Sequence, residues 1–265
     1  MNLNIYGVLE KVRERKPVVH HLTNWVTIYD CANIVKVFGA SPVMAHAPEE
    51  VDEMTQIASA LVLNIGTLTV DFIDSMKIAL KSANRKGIPV ILDACGAGAT
   101  KLRDIKTAEL LSAEKIDIIK GNSSEIARVA GEDVKTKGVD ASAVSGDMEQ
   151  IAVQLAATRN CTVVVTGKED IVTDGKRIFI VRNGCDMMAH IVGTGCMAAS
   201  VIGTFAAVET DYSIASAAGL CCFEIAAELA AENSKGPGSF KKAMYDAAYN
   251  LDKETVEKMQ KITQK

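Results

Sequence analysis

Gly193-Thr194-Gly195-Cys196 stands directly before a run of small and apolar residues, Met197, Ala198, Ala199, Val201, Ile202 and Phe205. Such a run predicts a buried helix whose first turn begins at the glycines. The free N–H groups and partial positive charge of a helix start attract anions such as phosphate. Glycine there lets the backbone come close to a ligand, and a thiol in the first turn becomes more acidic. Taken alone, the four residues fit a helix start with a buried cysteine as well as they fit an anion site. A second set has the same flavour: Asn64 and Gly66, Asp93, Lys120 and Asn122 with Glu125 one turn on, Thr166 and Gly167. Asp93 and Glu125 suit a hard cation such as magnesium; Lys120 and Gly193 suit phosphate. One acid at a strand end is often only a helix cap, so it is their convergence that points to a site. The chain has neither a Walker A motif nor a full G-x-G-x-x-G, and Gly96-x-Gly98 alone is weak.

The elements that must position these residues alternate. Val8 to Lys16 reads as a charged amphipathic helix stopped by Pro17, and Val18 to Asn24 as a short strand running into a polar turn. Trp25 to Phe38 has near-helical spacing closed by Gly39. Ser41 to Ala45 reads as a strand, and Pro48-Glu49-Glu50 as the opening of a helix. Continuous apolar runs at 60–63, 88–92, 117–119 and 161–165 predict buried strands, with helices over 70–86, about 102–111, from Ser123, and 151–158 between or after them. Strands of that kind separated by helices mean a parallel sheet covered on both faces. Residues 170–173 and 177–181, joined at Asp174-Gly175, predict a hairpin forming an antiparallel edge. Helices are expected over about 196–208, 213–231 and 239–261. Ligands in such sheets bind at the carboxyl ends of the strands, where the second set of residues falls. The economical reading is one α/β domain over 1–265.

Composition sets the outer limits. The 265 residues carry a net charge of -4, with 48% hydrophobic and 23% charged residues, an ordinary globular balance. This charge gives no reason to expect nucleic acid or an anionic membrane as partner. With no charged-then-apolar leader and no apolar run read as reaching transmembrane length, a cytoplasmic protein is expected. Seven cysteines without C-x-x-C fit a reducing compartment and mostly core filling. His20-His21 lacks metal-ligand spacing and reads as strand and turn.

Over nearly its whole length the chain resembles the hydroxyethylthiazole kinases of the ribokinase-like superfamily. The likeness rests on His21-x-Thr23-Asn24-x-Val26-Thr27, Cys31-Ala32-Asn33, Gly39 to Ala45, Asn64-Ile65-Gly66-Thr67-Leu68, Gly121-Asn122-x-x-Glu125-Ile126, Val165-Thr166-Gly167 and Gly193-Thr194-Gly195-Cys196. The last is the most specific, since most ribokinase-like enzymes carry aspartate where this chain has Cys196. Two departures stand out: Asp93-Ala94-Cys95 where the family usually shows Asp-Pro-Val, and Lys120 where arginine is common. Lysine keeps the charge but loses the bidentate fork.

The resemblance implies a ribokinase-like fold with a mostly parallel sheet, and transfer of the ATP γ-phosphoryl to 4-methyl-5-(2-hydroxyethyl)thiazole in thiamine salvage. It implies Gly193, Thr194, Gly195 and Cys196 at the transferring phosphoryl, and Asp93 and Glu125 holding magnesium directly or through water. Lys120, Asn122, Thr166 and Gly167 would contact ATP; Asn24, Val26, Met44, Gly66 and Gly193 would form the thiazole site. It further implies a homotrimer with each site between two subunits, residues 24–45 coming from one chain and 93–196 from another. A sister kinase acting on a pyridoxal- or pyrimidine-type alcohol, or a nucleotide-binding relative without transfer, are the alternatives.

Overall fold

The structure, a computed structural model, describes residues 3–131 and 148–265. Six strands run parallel: β1 (Val18–Leu22), β2 (Ser41–Val43), β3 (Ala60–Asn64), β4 (Val90–Asp93), β5 (Ile118–Asn122) and β6 (Thr162–Thr166). Three antiparallel strands follow, β7 (Asp170–Thr173), β8 (Ile178–Val181) and β9 (Ile262–Gln264), giving a nine-stranded sheet of order β2-β1-β3-β4-β5-β6-β7-β8-β9. The chain goes outward from β1 to β2 and then returns past β1 to β3, so the winding reverses beside β1. A crevice at the carboxyl ends is expected there.

Both faces are covered, because the parallel strands are apolar on both sides. Val62, Ile91, Ile118 and Val164 face one core, built with α1 (Ile5–Arg15), α2 (Ile28–Val37), α8 (Thr194–Ala206), α9 (Tyr212–Glu232), α10 (Pro237–Asn250) and α11 (Lys253–Met259). Leu61, Leu63, Leu92, Ile119 and Val163 face the other, built with α3 (Val51–Ile57), α4 (Val70–Lys86), α5 (Lys101–Ala113), α6 (Ser123–Val129) and α7 (Met148–Arg159). Helix α8 lies very close to the sheet: a Cβ on Gly203 would sit 2.4 Å from Val62 Cγ2. That contact sets the height at which the helix start meets the strand ends.

Several boundaries differ from the sequence reading. Helix α2 begins at Ile28 rather than Trp25, because Asn24 Oδ1 accepts the Thr27 N–H at 3.1 Å and holds 25–27 as a turn. Pro48-Glu49-Glu50 forms a turn, and α3 opens only at Val51. The predicted helix over 239–261 is two helices: the chain breaks at Leu251, and Asp252 caps α11 by accepting the Thr255 N–H at 2.8 Å. The hairpin forms at the antiparallel edge as expected, with the short β9 added outside β8. One apolar stretch was also underread. Helix α9 is 21 residues long and contains an 18-residue stretch of mean hydropathy 1.6, enough by length and composition to cross a membrane, but 78% of that stretch is buried inside this fold. It serves as a core helix.

Candidate active site

The parallel register sets the site residues side by side. Asn64 pairs with Asp93 across β3 and β4, Asp93 with Lys120 across β4 and β5, and Asn122 with Thr166 across β5 and β6. Their side chains then form a line. Lys120 Nζ donates to Asp93 Oδ1 at 3.2 Å, and Asn64 Nδ2 to Asp93 Oδ2 at 2.6 Å. Asn24 Nδ2 donates to Asn64 Oδ1 at 2.9 Å and approaches Cys196 Sγ at 3.2 Å. All five residues are buried, so every donor and acceptor in the line needs its partner. Asn24 and Cys196 thus meet within one chain. This corrects the expectation that they come together only across a subunit boundary, and the reason is that α8 packs on β1 and β3.

The helix start is built tightly. Gly193 has φ +95°, and a Cβ there would lie 2.4 Å from Thr27 Cγ2, so both backbone conformation and space call for glycine. A Cβ on Gly195 would lie 3.2 Å from Lys120 Nζ, which puts a buried ammonium against the first turn of α8. Thr194 Oγ1 donates to Met188 O at 3.2 Å, tying α8 to the short 3-10 helix at Asp186–His190.

These contacts move the local protonation states. Hydrogen bonding from Cys95 pulls the Cys196 thiol well below its ordinary range; burial opposes, while Thr27, Lys120 and Asn24 reinforce. The Cys95 thiol is correspondingly pushed far up. Burial raises the Asp93 carboxyl to about 7 against the opposing charge of Lys120. Burial works against the Lys120 ammonium, but the charges of Asp93 and Glu125 prevail and raise it. A sulfur facing several donors at a helix N-terminus is set up as a hydrogen-bond acceptor.

Glu125 is placed differently from the sequence picture. Its Oε1 accepts the Gly96 N–H and its Oε2 the Asn122 N–H, both at 2.7 Å, while Asn122 Oδ1 accepts the Glu125 N–H. This is a reciprocal capping box that also anchors the 94–98 loop. Each oxygen keeps one further lone pair. Thr166 Oγ1 donates weakly to Gly121 O at 3.4 Å, beside Asn122, and Gly167 follows on the same turn. Gly66 N donates to Asn64 Oδ1 at 2.8 Å, joining the line. Val26 stands apart, 66% exposed with Tyr29 at 76% and Val192 at 73%. Met44 is half-buried just beyond β2. The sequence reading names Asn64 at a strand end without giving it a role, and leaves Thr27 and Cys95 out of the site. Asn64 had a signal, as a polar residue closing an apolar strand; Thr27 and Cys95 had none beyond nearness to motif residues.

His20 and His21 lie in β1 as expected. His20 bridges Thr55 Oγ1 at 2.9 Å and Ala45 O at 2.7 Å, a structural role. Among the described residues no group of three or more His, Cys, Asp or Glu could hold a metal by itself.

The comparisons with known proteins agree with this geometry. The model of the hydroxyethylthiazole kinase family matches residues 9–254. A hydroxyethylthiazole kinase from Methanosarcina mazei is 57% identical over 254 residues, spanning 96% of this chain and 97% of its own. The solved hydroxyethylthiazole kinase structure from Pyrococcus horikoshii OT3 superimposes with a TM-score of 0.91 at 41% identity, covering 98% of both chains. The pyridoxal kinase from Staphylococcus aureus in complex with ADP shares the fold, with a TM-score of 0.65 at 12% identity over 94% of this chain and 98% of that one. The mostly parallel sheet with antiparallel strands at one side is therefore the ribokinase-like architecture, and the chain belongs to the hydroxyethylthiazole kinase family.

Proposed function

We propose that this chain, as a single kinase domain, transfers the γ-phosphoryl of ATP to the hydroxyl of 4-methyl-5-(2-hydroxyethyl)thiazole, a step of thiamine salvage. The observation that carries the reading is the buried line Lys120–Asp93–Asn64–Asn24–Cys196 ending at the open N–H groups of α8. The alcohol oxygen attacks the γ-phosphorus, the bond to the bridging oxygen breaks, and ADP leaves with that electron pair. The Gly193 to Cys196 backbone holds the phosphoryl oxygens, and Lys120, Asn122, Thr166 and Gly167 orient the nucleotide. Cys196 places the hydroxyl and takes its proton late. A loose transition state does not require early deprotonation of the alcohol.

Magnesium fits the residues present. Asp93 at the end of β4 and Glu125 in the first turn of α6 after β5 offer two carboxylates, and such an ion usually takes its remaining ligands from phosphates and water. Because both Glu125 oxygens already hold backbone N–H groups, contact through water suits Glu125 better than direct ligation. The ion when bound neutralises charge on the phosphates. Asn24, Gly66 and Gly193 line the thiazole side. Val26 and Met44 would join them with a second subunit covering the apolar surface of Val26, Tyr29 and Val192, which supports a homotrimer with sites at its interfaces. A chain of this kind acts in the cytoplasm.

The test is ADP release measured with the thiazole alcohol, a pyridoxal-type alcohol and a pyrimidine alcohol. Turnover preferring the thiazole is expected; preference for another alcohol, or ATP binding without turnover, would replace the reading.

A further inference from the structure

Two carboxyl groups lie buried together behind the Thr166-Gly167 turn, and no step above uses them. Asp170 opens β7 and is 3% exposed; Glu224 sits within α9 and is 6% exposed. Asp170 Oδ1 accepts the Gly167 N–H at 2.9 Å, and the Asp170 and Glu224 side chains are hydrogen-bonded to each other. If Glu224 were ionised, its buried Oε2 would have no hydrogen-bond donor. The backbone closes over it at Gly184, where a Cβ would stand 3.7 Å from Glu224 Cδ.

Two ionised carboxylates cannot share a hydrogen bond, and a charged oxygen left without a donor in the interior is strongly penalised. One proton therefore sits between the two groups. Burial raises the Asp170 carboxyl too, but the Gly167 N–H and, further off, the Lys120 charge oppose it and stabilise its anion; Glu224 has neither. Burial, and after it the charge of Asp170, pushes the Glu224 carboxyl far up. Glu224 is the neutral acid and the donor, and Asp170 is the charged acceptor.

We propose that Glu224 is a positioning residue for the nucleotide: as a neutral acid it fixes the Asp170 carboxylate, which holds the Gly167 N–H and so the conformation of the turn presenting Thr166. The shared proton also leaves one negative charge rather than two behind the triphosphate. The proposal rests on the reading that Thr166 and Gly167 contact ATP.

The experiment compares Glu224→Gln, which keeps a donor of the same shape, with Glu224→Leu, which fills the space without one, and with Thr166→Ala as reference. Each is first checked by thermal melting, and KM for ATP and for the thiazole alcohol is measured with kcat. Glu224→Leu should raise KM for ATP roughly ten- to a hundredfold, the scale of one lost charge-assisted hydrogen bond, with kcat and the alcohol KM little changed. Glu224→Gln should stay near the parent, and should lose a protonated-carboxyl C=O band in difference infrared spectra. If Thr166→Ala raises the ATP KM but folded Glu224→Leu does not, the proposal fails while the nucleotide reading stands. If Thr166→Ala changes nothing, the nucleotide reading fails and takes the proposal with it. Equal losses in kcat and both KM values in Glu224→Leu would mean a merely structural role and overturn it. Should Glu224→Leu not fold, Glu224→Gln decides: a raised ATP KM, or no lost carboxyl band, overturns the proposal.

Discussion

The two edges of the sheet treat charge in opposite ways. At the amino edge a cavity of about 440 Å³ is lined by Lys115, Asp117, Asp174, Arg177 and Asp211 among others. Its ion pairs, Arg177 with Asp174 at 2.6 Å, Arg177 with Asp211 at 2.8 Å and Lys115 with Asp117 at 2.5 Å, each keep at least one partly exposed side chain. At the carboxyl edge the Lys120–Asp93 pair has side chains only 5% and 1% exposed. Half-exposed pairs are inexpensive and contribute little, whereas a buried pair must recover a large desolvation cost. An edge that keeps such a pair, and continues it through two asparagines to a thiol, is organised for chemistry rather than for stability.

This contrast can be broken or sharpened by substitution. The largest effect is expected at Cys196. Cys196→Ala should lose about 10²–10⁴ in turnover, the range for a proton-accepting side chain, while Cys196→Asp should remain active. A folded Cys196→Asp protein without turnover, or a phosphocysteine trapped in the parent, would contradict the positioning role.

Lys120→Met should cost about 10²–10³ in kcat/KM for ATP, as expected for removal of a preorganised charge. It also makes stability pH-dependent. Without the lysine, Asp93 titrates above its present value of about 7, well above an unfolded carboxyl near 3.9. A raised folded pKa favours the fold at low pH and is lost as pH rises through it. Denaturant melts should therefore show Lys120→Met close to the parent at pH 5 and about 1 kcal/mol weaker at pH 8, since the two diverge only above the parent value and each pH unit there is worth about 1.4 kcal/mol. A difference independent of pH would show that the pair is not as buried as its geometry indicates.

If Glu125 serves the metal as proposed, Glu125→Ala should lower kcat by orders of magnitude with thiazole binding nearly intact. The capping box adds a second consequence, a stability loss of about 1–3 kcal/mol from two freed N–H groups. Near-normal turnover in a destabilised protein would leave Glu125 only its structural part. Smallest in activity, Arg177→Met at the amino edge should leave kcat/KM unchanged, while the loss of its network with Asp174, Asp211 and Ser213 lowers stability by about 1–2 kcal/mol. A real loss of activity there would erase the contrast between the edges.

Much of this was legible in the chain. Continuous apolar runs closed by Asn64, Asp93, Asn122 and Thr166 mark parallel strands and their carboxyl ends at once, because a strand buried on both faces can turn polar only where it leaves the sheet. Gly193 before a run of small apolar residues marked the helix start for the same reason. What stayed hidden was tertiary. Asn24 and Cys196 are 172 positions apart, and only the packing of α8 on the sheet joins them. Strand β9 is three residues with no alternation of its own, existing because β8 offers it an edge. Both Glu125 oxygens are taken by backbone N–H groups, which residue type cannot tell apart from metal ligation. Asp170 and Glu224 carry no motif, and their pairing depends on where α9 lies.

The central claim is that the buried line of donors at the carboxyl edge holds Cys196 as an acceptor at the start of α8. The most direct measurement is the pH dependence of Cys196 alkylation by iodoacetamide, followed by peptide mass so that the other six cysteines are read separately. The account predicts an inflection well below the ordinary thiol value of roughly 8.5, moving upward most in Cys95→Ala, which removes the largest contribution, and less in Asn24→Ala. An inflection at or above the ordinary value in the parent, unmoved by Asn24→Ala, would contradict it.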